Sequence, residues 1–395
     1  MTAHIGARPL SGRLALNRLG VFLAVLGIAG LTQPFLVVRA NRIAAGVGQG
    51  LFSALPAWQA ILLLGVLAAA LGATLLQLAA VWRAMSSILA LLGLAAGIGA
   101  AATALTPPGD ALIRIAPGTG FWLLLLAFSL LSADGFARLR PNPWQRVGAL
   151  VVVALAIALL LSIGTLNDIS ILREYATRAD VFWREGRTHI ELALGSLVAA
   201  TIVGVPLGIV CQRTAWLRAP VLNTLNAVQT IPSIALFGLL IAPLAWVAAT
   251  VPGASVLGIS GIGAAPALLA LFAYSLLPVV ANTLVGIEGV PPAAEEAAKG
   301  MGMTDWQRLT LVQFPLAFPV ILTGIRIVLV QNIGLATIAA LIGGGGFGVF
   351  VFQGVGQTAM DLVLLGAVPT IALSFAAAIV LDAAVELATP GGVSR

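Results

Sequence analysis

Apolar runs of about bilayer-crossing length succeed one another along this chain, and that recurrence limits its fold more than any single motif does. Crossing the hydrocarbon as a helix takes about 20 mainly apolar residues. Inside it every backbone N–H and C=O must be satisfied by the protein, so runs of this kind span as helices. They extend from about Leu19 to Val38, Trp58 to Val81, Ile88 to Leu105, Gly118 to Ser132, Val147 to Leu166, Thr188 to Cys211, Val221 to Thr250, Ala265 to Ile287, Leu316 to Ile342 and Leu362 to Leu387. With 60% hydrophobic and 9% charged residues and a mean hydropathy of +1.08, the chain lacks the polar surface to coat a soluble globule. The expected fold is all-α, a polytopic membrane protein of about ten transmembrane helices.

The first run follows Arg8, Arg13 and Arg18. Val38-Arg39-Ala40 is a tolerable cleavage sequence, but the run is longer than a signal-peptide core and reads as a retained span. The fourth is short and flanked by Arg114, Pro117 and Asp134. Asn167 to Arg187, with four arginines and four acids, is too mixed to span and reads as an interfacial or external segment. Thr188 with Glu191 then reads as a capping box that opens the next helix. With the amino terminus inside, Arg83, the group Arg138, Arg140 and Arg146, and the pair Arg213 and Arg218 all fall in cytoplasmic loops, as the positive-inside rule asks.

Several functions are excluded by what the chain carries. Its net charge of +6 comes from arginines scattered between apolar runs, which suits topogenic signals and lipid headgroups and not nucleic acid. Cys211 stands alone, so neither an intrachain disulfide nor a cysteine metal cluster is expected. The run Gly343 to Gly346 is no phosphate loop, because Lys299, the single lysine, precedes Gly300 where that chemistry needs Ser or Thr. It reads as a tight turn. Gly93 with Gly97 and Gly204 with Gly208 have the spacing that lets helices approach closely. His189 reads as an interfacial histidine, and Arg326 as snorkelling or paired with an acid. Phe237, Trp246, Phe272 and Tyr274 read as packing aromatics with cation–π reach.

The chemistry-bearing stretch is a polar island, about 288–315, between two apolar runs. Pro291 and Pro292 can open a helix, where a missing N–H costs nothing, with Glu295 and Glu296 near its positive end. Gly300 and Gly302 can close it. Thr304 with Gln307 reads as a capping box for a second short helix, which would put Met303, Trp306 and Leu309 on one side, open to a partner. Glu296-Ala297-Ala298, Gly302 and the closing Val312-Gln313-Phe314-Pro315 resemble the EAA loop of bacterial ABC importer permeases, with Val312 and Phe314 as apolar-for-apolar departures. The resemblance implies that Glu296, Ala297, Ala298, Gly302 and Pro315 belong to a coupling element that docks on a separate cytoplasmic ATPase.

A second stretch, Val228-Gln229-Thr230-Ile231-Pro232-Ser233, sets a proline within an apolar run. Pro232 removes a backbone donor and frees a carbonyl, while Gln229, Thr230 and Ser233 supply polar groups that can re-satisfy the break, and such a break can line a pathway. The run resembles the Q-T-I-P-S segment of osmoprotectant permeases, the glycine betaine, choline and carnitine class. So do Gly300 to Thr304 with Trp306-Gln307, Pro319 to Arg326, and Ala340 to Gly343. The first five spans look like the addition carried by YehY-type permeases of that class. The implied organisation is a bundle over 1–166, a polar segment over 167–187 and a permease core over 188–395.

The implied partners are two ATP-binding subunits, a second permease copy or sister permease, a periplasmic binding protein and membrane lipid, in the bacterial inner membrane. ATP and magnesium would sit on the partner ATPase, leaving this chain no catalytic residue, cofactor or metal. A permease for another small solute such as an amino acid is the alternative. An ion-coupled transporter is disfavoured, since Glu191, Glu288 and Asp361 sit at span ends and only Asp382 and Glu386 enter a span, near its exit.

Overall fold

A computed structural model describes residues 18–41, 44–76, 78–107, 109 and 112–389; Arg8 and Arg13 fall outside them. The chain divides into two compact units, Met1–Pro141 with Ala156–Arg173, and Asn142–Leu155 with Glu174–Arg395. Among the described residues nine helices are long and apolar enough to cross a membrane, and a tenth apolar helix is shorter.

That shorter helix, α1 (Arg18–Thr32), opens the first unit and corrects the reading of a single run to Val38. Pro34 lacks the amide a helix would need, and the chain leaves the helix just before it. The next residues build a small antiparallel sheet, unforeseen in an all-α reading. β1 (Leu36–Arg39) lies between β2 (Val47–Gln49) and β3 (Arg114–Pro117). After a single turn, α2 (Leu51–Ala54), come α3 (Ala57–Leu75), α4 (Ala80–Leu105) and α5 (Thr119–Leu139). The short fourth run is thus a full-length helix. Leu23, Leu63, Leu94, Leu124 and Phe128 fill the core between these helices. A Cβ on Gly97 would lie 2.9 Å from Leu63, so this glycine admits a close approach of α3 to α4.

α6 (Pro143–Ser162) is divided between the two units. α7 (Ser170–Thr177) and α8 (Ala179–Arg213) come next, and α8 overturns the expected start at Thr188. The helix is already two turns old there. Thr188 Oγ1 donates to the Arg184 carbonyl within the helix (3.1 Å), and Glu191 accepts from Arg187 one turn back (2.7 Å). Side-chain pairs at this spacing support a polar helix as readily as they cap one. His189 is correspondingly buried, its Nδ1 accepting the Phe347 N–H at 3.3 Å.

The second unit continues through α9 (Ala215–Thr230), α10 (Ser233–Leu239), α11 (Ile241–Thr250) and α12 (Ala264–Glu288). Beyond them lie α13 (Pro292–Gly300), α14 (Asp305–Arg308), α15 (Phe314–Leu335), α16 (Gly348–Gly356) and α17 (Met360–Ala388). The run from Val221 to Thr250 is therefore not one helix, and its span-length portion is Ser233–Thr250. Helices α8 and α12 meet through Gly204 and Gly208, where a Cβ would stand 2.8 Å from Val279 and 2.7 Å from Thr283. Between α8, α12 and α15 the buried Asn332 amide donates to Ser196 (2.8 Å) and Ser275 (2.9 Å). Arg326 pairs with Asp382 of α17, which also receives Arg146 at 2.6 Å.

Candidate functional site

The polar island folds as its caps predict. Pro292 stands at the first position of α13 and Glu295 in its first turn. At the other end the Gly302 N–H reaches the Lys299 carbonyl (2.9 Å) and the Met303 N–H reaches that of Ala298 (3.1 Å). These two bonds make a Schellman closure, which needs a left-handed residue, and Gly302 has φ +76°. The capping box is present, with Gln307 N–H to Thr304 Oγ1 at 3.3 Å and Thr304 N–H to Gln307 Oε1 at 2.8 Å.

What lies beyond the box differs from a second short helix. α14 runs through a wide π turn, Leu309–Gln313, directly into α15. Pro315 accounts for the turn: without an N–H it cannot bond the Leu311 carbonyl, and its ring crowds that group. The chain widens by one residue, and the Phe314 N–H bonds the Leu309 carbonyl five residues back. This continuity fixes the roll of α14 and separates the three residues expected on one side. Leu309 packs with Ile287, Ala317 and Ile321, whereas Trp306, one turn nearer the loop, is 69% exposed, as is Met301. Of the triplet, Ala298 faces inward while Glu296 and Ala297 are exposed.

The island is braced from below. Glu295 accepts a hydrogen bond from Gln313 (2.7 Å), joining α13 to the π turn. Arg218 of α9 holds Glu288, at the root of the loop, through both carboxylate oxygens, and Arg213 reaches the Asp305 carbonyl at 3.4 Å. The corner turns Glu296, Ala297, Met301 and Trp306 outward, and these bonds tie it to α8, α9, α12 and α15.

The helix break at Pro232 is also real: Ile231 and Pro232 are extended between α9 and α10. Its repair differs from the expected one. Thr230 turns back to the Ala227 carbonyl of its own helix (2.7 Å). The Ile231 carbonyl, which the extended break leaves outside both helices, accepts from the Tyr274 hydroxyl, and the Tyr274 carbonyl accepts from the Gln229 amide at 2.8 Å. Tyr274 has a carbonyl to spare because Pro278, four residues on, has no N–H to offer it. Two proline-interrupted helices thus satisfy one another. The sequence signal for this joint is Pro278, four residues after Tyr274, a partner that a reading of Tyr274 as a packing aromatic leaves out. Tyr274 lies about 15 Å from one end of α12 and about 21 Å from the other at 1.5 Å per residue, so the break stands near the middle of that span.

A bundle of membrane-length helices carrying a braced polar corner at one end and a satisfied break at mid-depth defines a transport protein of the permease class. Residues 204–391 match the family described as the binding-protein-dependent transport system inner membrane component, and residues 17–172 match the N-terminal domain of the ABC transporter permease YehY. The osmoprotectant import permease protein OsmW of Salmonella typhimurium is 44% identical over 194 residues, 49% of this chain and 83% of that protein. The glycine betaine/carnitine/choline transport system permease protein OpuCB of Bacillus subtilis is 38% identical over 205 residues, 52% of this chain and 87% of that one. The choline transport system permease protein OpuBB of the same organism is 37% identical over 207 residues, 52% and 88% of the two chains. The chain belongs to the family of binding-protein-dependent ABC importer permeases.

Proposed function

We propose that this chain is the transmembrane subunit of an ATP-driven importer for quaternary-ammonium osmoprotectants such as glycine betaine. The reading is carried by the outward, preorganised Glu296 to Trp306 corner in a chain whose relatives are named for osmoprotectant, carnitine and choline transport. Two ATP-binding subunits hold ATP and magnesium, and their closure moves the corner formed by Glu296, Ala297, Ala298, Gly302 and Pro315. Arg218 and Glu288 pass that movement to α9, whose far end is the break at Gln229, Thr230, Pro232 and Ser233. The spans of this chain and of a second copy or sister permease then alternate between outward and inward access. A periplasmic binding protein delivers the solute. The complex sits in the bacterial inner membrane with the amino terminus of this chain in the cytoplasm, the bundle over 1–166 being an addition to the transporting core.

The test is purification of the complex through a tag on this chain, reconstitution in lipid, and measurement of ATP hydrolysis with binding protein loaded with glycine betaine or with an amino acid. Hydrolysis stimulated by betaine, and lost with Glu296→Ala while the subunits stay together, is the expected result. Stimulation by an amino acid alone would overturn the solute, and absence of any co-purifying ATPase would overturn the coupling.

A further inference from the structure

Helix α9 has a side that no described residue of its own unit covers and that lipid does not suit. It runs from the Arg218–Glu288 pair at the end of α12 to the Gln229–Tyr274 bond near the middle of α12, beside a helix long and apolar enough to cross a membrane. Asn223, Asn226 and Thr230 recur at helical spacing on one side and are exposed, while Leu225 on the other side is buried. Neither asparagine amide has a hydrogen bond within the described residues. Other helices expose broad apolar surface, as at Val152, Leu155 and Leu159 of α6 or Ile371 and Phe375 of α17. Two unpaired amides turned to acyl chains would be costly, whereas the same amides facing water are satisfied.

Resting on the permease reading, we infer that the Asn223, Asn226 and Thr230 side of α9 is the wet wall of the solute path between the break and the coupling loop, and that it suits a zwitterion. From Ala219 to Thr230 the helix holds no Asp, Glu, Lys or Arg. An amide offers N–H donors to a carboxylate and a carbonyl oxygen to the positive end of the same molecule. With no fixed charge on the wall, neither end is held fast, and a solute of balanced charge can pass along it.

The experiment places Asn223→Cys or Asn226→Cys in a Cys211→Ser background, in the reconstituted complex. A membrane-impermeant cationic methanethiosulfonate added from the loop side is expected to modify both cysteines and to block uptake. Asn226→Asp is expected to raise choline uptake relative to glycine betaine uptake by about fivefold, since a fixed negative charge favours a cation over a zwitterion. Modification by a lipophilic maleimide alone would put this side against lipid or another protein and overturn the wall. An unchanged choline to betaine ratio in Asn226→Asp would overturn its match to a zwitterion. Thiol modification needs no transport, so it judges the wall apart from the transport reading, which the unmodified complex tests by its own betaine uptake.

Discussion

Substitution of Gly302 isolates backbone conformation from every other contribution of the coupling corner. Its φ of +76° completes the Schellman closure of α13, yet a Cβ placed there would meet no heavy atom of the described residues within 4 Å apart from its chain neighbours. The cost of Gly302→Ala is therefore conformational alone, about 1–2 kcal/mol for a left-handed L-residue. That is well below the about 5–15 kcal/mol that holds a typical fold, so the chain should still fold and assemble. Locally, the same energy lowers the closed form of the turn about 5- to 30-fold relative to open alternatives. Asn tolerates left-handed backbone and should be the mildest change, Ala intermediate, and the β-branched Val the most damaging. Betaine uptake per ATP hydrolysed, with complex abundance as control, is the assay. Equal loss in Asn, Ala and Val variants would refute the argument, because it would mean that a partner tolerates no side chain there whatever the backbone prefers.

The packing makes three other substitutions informative. Tyr274→Phe strands the Ile231 carbonyl, costing about 1–3 kcal/mol, and should lower the melting temperature of the purified complex, with Gln229→Leu adding less than its separate effect because both changes open one joint. Gly208→Leu drives a side chain into Thr283 and the Val280 carbonyl, separating α8 from α12 at about 1–3 kcal/mol, and should reduce the amount of chain recovered in folded form. Pro315→Ala restores an N–H that can bond the Leu311 carbonyl, relaxing the π turn and rotating α14 by about 100° against α15. Uptake should fall while the chain remains in the membrane, and a cross-link between cysteines at Trp306 and a position on the ATPase should weaken.

Features that depend on near neighbours in the chain were open to reading. Run length marked nearly every membrane-length helix, because satisfying the backbone in hydrocarbon is a problem each segment solves alone. The caps of the corner were equally legible: Pro292, Gly302 and the pair Thr304 and Gln307 act within three or four residues. Pro232 announced its break for the same reason. Local signals misled where two structures share one signature, as at Thr188 and Glu191, whose spacing serves a helix interior as well as a cap.

Only the tertiary structure decided which distant group answers each local defect. The extended break at Pro232 leaves the Ile231 carbonyl without a helical donor and Pro278 does the same to the Tyr274 carbonyl, but that Tyr274 and Gln229 supply those donors depends on α9 lying against α12. Likewise Asp382 gathers Arg326 and Arg146 across separations of 56 and 236 residues, and Leu309 turns inward while Trp306 stays out because α14 is locked to α15. The small sheet formed because Leu36–Arg39, released at Pro34, met Val47–Gln49 and Arg114–Pro117. A sequence states which polar groups need partners; chain packing supplies them, and that choice is made by the whole bundle at once.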